Sequence, residues 1–83
     1  MRLSPTQRRL LRAMATGHFL KAHRDIEGRK IYRLHALDGR QAPVRRATVL
    51  ALVERGLIDS NKKFPAATFW LTERGRELVA GQK

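Results

Sequence analysis

A chain of 83 residues without a single cysteine has no disulfide and no thiolate metal site to brace it. A fold of this size then rests on packed helices and a covered sheet. The apolar fraction, 42%, supplies one modest core, and the length predicts a single domain over residues 1–83. The longest apolar run, residues 47–53, contains Thr48 and falls far short of a bilayer span. Arg8, Arg9 and Arg12 stand where a secretory leader needs an apolar stretch, so the expected location is cytoplasmic with no membrane partner.

Local signals divide the chain into five pieces. Ser4 and Gln7 form a capping-box pattern with Pro5 at the first turn, which predicts a helix over 5–16 ended by Gly17. Leu10, Leu11 and Met14 give that helix an apolar stripe. Residues 18–24 and 29–35 read as a β-hairpin around the four-residue loop 25–28. In the register with Arg24 opposite Arg29, Ala22 faces Ile31 and Lys21 faces Tyr32. Asp38-Gly39 marks a turn, and Pro43 opens a second helix over 43–55, with Val44, Val49, Leu52 and Val53 as its buried side and Gly56 as its stop. Residues 57–60 and 67–71 predict a second hairpin with a basic tip at 61–65. Thr72 caps a last short helix over 73–80. The expected fold is α+β, in the order helix, β-hairpin, helix, β-hairpin, short helix.

Charge points to the partner. Eighteen Lys and Arg against seven Asp and Glu leave a net +11. Most of the eighteen are arginine, whose planar fork matches phosphate and guanine edges better than the point charge of lysine. Such an excess repels itself, and a polyanion relieves it. Double-stranded DNA is the expected partner, with Arg45, Arg46 and Thr48 directed outward from the second helix and Lys62 and Lys63 at the hairpin tip. Arg8, Arg9 and Arg12 on the first helix, and Arg29 and Lys30 at the end of the first hairpin, are further candidate phosphate contacts. The competing explanation for Arg29 and Lys30 is protection of an edge strand by charge.

Residues 47–58, a basic turn and residues 69–78 resemble the recognition helix and wing of winged-helix transcription regulators of MarR type. Leu52, Gly56, Leu57, Ile58, Leu71, Thr72, Gly75 and Leu78 carry the likeness, which covers about half the chain and implies a winged-helix-like fold and a DNA-binding regulator. The first half departs from that pattern, because a hairpin occupies the place of an extra helix. The whole-chain order is similar to the small bacterial YjhX-type proteins, through Leu3, Ser4, Gln7, Arg8, Leu10, Gly17, Arg24, Asp25, Gly28, Arg29, Leu57 and Ile58. That likeness implies a toxin-like inhibitor of a topoisomerase.

An acidic protein partner is therefore the alternative to DNA: a host topoisomerase, nuclease or CRISPR-type complex bound by a phage or toxin-like inhibitor. Structured RNA is a third partner class, and self-association into a homodimer is left open. No cofactor is expected. His18 and His35 face each other in the expected hairpin while His23 points away, and two imidazoles without a third ligand make a poor zinc site. A stacking surface for single strands needs several exposed aromatics on one face. Phe64 at the tip is the aromatic expected to be exposed, and Trp70 is expected in the core or at a helix–sheet seam. Nucleophile and acid–base pairs are missing, so the chain is not expected to be an enzyme.

Overall fold

The computed structural model describes residues 2–62 and 66–81. Helix α1 (Pro5–Ala15) starts at the capping box that its sequence predicts. The Gln7 amide donates to the Ser4 hydroxyl at 3.1 Å, and the Ser4 amide donates to the Gln7 side chain at 3.0 Å. Leu10, Leu11 and Met14 are buried, as their helical spacing requires.

Strands β1 (Phe19–Arg24) and β2 (Lys30–His35) form the first hairpin, one residue out of the expected register. The Asp25 amide donates to the Arg29 carbonyl at 2.9 Å, and the Gly28 amide to the Asp25 carbonyl at 3.0 Å. The loop proper is 26–28, with Gly28 in the left-handed region at φ +81°, the geometry of a type I turn followed by a bulge. Arg29 therefore pairs with Asp25, not Arg24, and Ala22 lies opposite Tyr32 instead of Ile31. A slip of one residue reverses which face every side chain occupies. In the observed register Leu20, Ala22, Tyr32 and Leu34 share the inner face, and the first three of them are buried. His35 lies opposite Phe19, so His18 and His35 are not cross-strand partners.

The largest departure from expectation is strand β3 (Gln41–Val44), which places Pro43 in the sheet and not at a helix start. A turn at 36–40 repeats the geometry of the first one, and β3 then pairs with β2, Pro43 lying opposite Arg33. Proline is tolerated because β3 is an edge strand, where a missing N–H need not break a ladder. Helix α2 (Arg46–Glu54) consequently begins three residues later than Pro43. It buries Val49 and Leu52, while Val53 is 39% exposed and Val44 belongs to β3.

Gly56 ends α2 at φ +72°, a conformation that lets the chain reverse straight into β4 (Ile58–Ser60). Strand β5 (Ala67–Leu71) returns beside it, and Thr72 caps α3 (Glu73–Ala80) by accepting from the Gly75 amide at 3.1 Å. Five strands thus form one antiparallel sheet in the order β3-β2-β1-β5-β4, so the second hairpin adds to the first through β1 and β5.

The helices share a single hydrophobic cluster with one face of this sheet. Small Ala22 and Ala67 lie opposite each other there, beside Tyr32 and Phe69, whose rings meet at 6.0 Å and 56°. Among the described residues the other face carries no core side chain and presents Phe19, Lys21, His23, Ile31, Arg33, His35, Thr68 and Trp70. Trp70, expected inside, is 46% exposed because β5 turns Phe69 and Leu71 inward. Among the described residues no helix is long and apolar enough to cross a membrane.

Candidate nucleic-acid interface

Arg45 is the N-cap of α2, extended at φ −69° and ψ 137°, and Arg46 is the first helical residue. Arginine offers no short side-chain acceptor, so no side chain caps this helix, and no acid sits in its first turn. Free amide groups and the helix dipole make that end positive. Two cations there oppose the dipole, at a cost of about 0.3–1 kcal/mol each. Both side chains are exposed, and neither makes a hydrogen bond or ion pair with a described residue.

Two clefts meet at this helix start. One, of about 970 Å³, lies between α1, the β3 edge and α2, and is lined by Arg9, Ala13, Pro43, Arg45 and Thr48. The other, of about 510 Å³, is formed by the β1–β2 turn and α2, and is lined by Arg24, Gly28, Arg29, Lys30 and Arg46. The adjacent arginines of α2 thus each line one cleft: the first is largely apolar and adds Arg9, the second is strongly basic. Arg24 was not among the sequence candidates, although its place opposite Lys30 across the hairpin is the signal that brings it in.

The remaining candidates lie elsewhere. Arg8 and Arg12 are exposed on α1 but line neither cleft. Lys62 is exposed beyond β4, in the left-handed region at φ +55°, with its amide donating to the Ser60 hydroxyl at 3.2 Å. Lys63 and Phe64 lie outside the described residues.

Electrostatics separates Arg29 from its neighbours. Its guanidinium meets Asp25 at 3.2 Å and Glu27 at 3.3 Å, so much of its charge is already answered. Asp25 also accepts from the amides of Arg29 and Glu27, each at 2.9 Å. The Arg29 amide above all holds the Asp25 carboxyl below its ordinary range; desolvation, the next largest effect, opposes it, and the Glu27 amide and the Arg29 guanidinium add to the lowering. Lys30 makes no ion pair with a described residue and sits at the end of β2 that β3 does not reach, since β3 pairs only with Tyr32–His35, so protection of an open sheet edge by charge stands beside phosphate contact as its explanation.

Between its cationic start and the exposed Glu54 at its end, α2 turns apolar residues outward. Leu50 is 40% exposed and Ala47 is also exposed. The helix is therefore cationic at its start and apolar along its open side. Among the described residues no group of three His, Asp or Glu is placed to hold a metal ion. Comparison with protein families, with curated proteins and with solved structures gives no match for this chain.

Proposed function

We propose that the chain binds double-stranded DNA through the start of α2 and acts as a small transcriptional regulator. One observation carries the reading: Arg45 and Arg46 stand exposed and unpaired at the positive end of a helix, between two clefts that add Arg9, Arg24 and Lys30. A helix whose first turn is cationic and whose open side is apolar suits the major groove. Arg45 and Arg46, each lining one of the clefts, neutralise phosphates at the groove's edges, and Ala47 and Leu50 meet thymine methyl groups. Phosphates fill the flanking clefts. The cost of setting two cations against the helix dipole is then recovered on binding.

The arrangement of α2 followed by the β4–β5 hairpin supports a winged-helix-like reading, with Lys62 just beyond β4 on the wing. In this reading the β2–β3 extension stands where winged-helix regulators carry a further helix. No catalytic role is proposed.

Titration of a fluorescent duplex at several salt concentrations tests the proposal. With roughly four to eight phosphate contacts, log affinity falls against log salt with a slope of about −4 to −7. A flat response, or no binding at low salt, overturns it. A single protein retained from lysate after nuclease treatment, with no duplex binding, supports the acidic-protein reading in its place.

A further inference from the structure

We infer that the uncovered face of the sheet is a second nucleic-acid site, one that stacks the bases of an unpaired DNA strand. Phe19 is 53% exposed and Trp70 46% exposed, both unusually open for aromatics in strands. Leu20 pairs with Phe69 across β1 and β5, so Phe19 and Trp70 lie one step further along the same two strands. Strand alternation turns both to the uncovered face; the recess of about 540 Å³ that they edge runs beneath α1 and α3, lined by Met14, Phe69 and Val79, and is not part of that face. Side chains in that relation are neighbours, and two neighbouring rings give consecutive bases a surface to stack on.

Two cations, Lys21 and Arg33, share the face with this pair of rings. Lys21 lies between Arg33 on one side and Thr68 on the other, and His35 lies opposite Phe19. Asp59, opposite Trp70 on the outermost strand, is the one acid that shares the face among the described residues. Arg33 Nε and His35 Nε2 are buried and make no hydrogen bond with any described residue. Buried polar atoms left without a partner are costly.

The occupant follows from this chemistry. A second copy of the chain would bring the same cations against themselves, on a molecule already at +11. A duplex hides its base faces and offers nothing to stack. An unpaired strand presents both a ring face and a phosphate chain. This site uses none of the α2 residues and stands or falls apart from the duplex reading.

Trp70 is the only tryptophan in the sequence, so its own fluorescence reports contact at the site. The probe is an oligothymidylate of eight nucleotides. Quenching of Trp70 is expected on titration, with affinity about tenfold lower in Phe19→Ala. In Lys21→Gln the log–log salt slope becomes shallower by about 0.7. Both residues are exposed, and unchanged circular dichroism shows the variants folded. Arg45→Ala/Arg46→Ala is expected to keep the oligothymidylate response. Absence of quenching, or quenching that Phe19→Ala and Lys21→Gln leave unaltered, overturns the inference. So does quenching that rises with protein concentration alone and tracks a dimer in sedimentation, which makes the face a contact between copies. Tighter binding of oligouridylate than of oligothymidylate overturns the assignment to DNA.

Discussion

The backbone carbonyl of Leu57 occupies the space that a side chain on Gly75 would need. Gly75 is buried in the first turn of α3, and Leu57 is fully buried at the exit from α2. Thr72 reinforces this junction: its amide donates to the Leu57 carbonyl at 3.1 Å, and its hydroxyl donates to the Gly56 carbonyl at 2.5 Å. The last helix is thereby fixed against the segment that carries α2 into the sheet.

Gly75→Ala is expected to destabilise the protein, although alanine is the better helix former. The added carbon meets backbone, which cannot rotate aside as a flexible side chain can. Forced overpacking of this kind costs about 1–3 kcal/mol, which for a domain of this size lowers Tm by roughly 4–8 °C per kcal/mol. Thermal denaturation followed by circular dichroism measures it. An unchanged or raised Tm would mean that α3 is not seated on Leu57.

Asp25 predicts a specific pH dependence. Its carboxyl is held below the ordinary range in the folded chain, so the charged form favours folding. That contribution is complete above the unfolded value near about 3.9 and is lost as pH falls through the folded value. Asp25→Asn keeps an acceptor for the two amides but removes the charge. Denaturant melts are expected to find the variant less stable than the wild type at neutral pH, with the gap closing in the acid range. A gap that persists unchanged at the lowest pH where both fold would contradict the assignment.

Arg46→Glu is expected to stabilise the free protein and to destroy duplex binding. Replacing a cation by an anion at the first residue of α2 turns an unfavourable interaction with the helix dipole into a favourable one. The gain is about 0.5–2 kcal/mol, read as a higher Tm without DNA. The same change sets a negative charge against phosphate. A variant that is both less stable and still binds would remove the argument that this helix start is kept cationic for a partner.

Much of the scaffold is legible because its signals are local. The Ser4–Gln7 box, the Thr72 cap and the stop at Gly56 need only neighbouring residues, and each appears where its chemistry puts it. Pro43 illustrates the opposite case. A proline at a helix start and a proline in an edge strand look alike until the partner strand is known, and the turn at 36–40 that delivers β3 to β2 decides between them. The register of the first hairpin depends on Gly28 taking the left-handed position, which moves every pair by one. Trp70 and Phe19 could not be placed together from sequence, because nothing in either strand announces that β5 lies beside β1. For the same reason the two clefts escape a linear reading: Arg9 and Arg45, or Lys30 and Arg46, are brought together only by the sheet and the packing of α1 and α2.

The most direct test of the central claim compares the salt dependence of duplex binding in the wild type and in Arg45→Ala/Arg46→Ala, by anisotropy of a labelled duplex across a range of salt concentrations. If both arginines neutralise phosphate, the slope is expected to become shallower by about 0.9 for each phosphate left without its arginine, or about 1.8 for the pair. Binding weakens at every salt concentration, while Tm stays level or rises. An unchanged slope with unchanged affinity would contradict the account, because the cationic start of α2 would then have no part in holding the DNA.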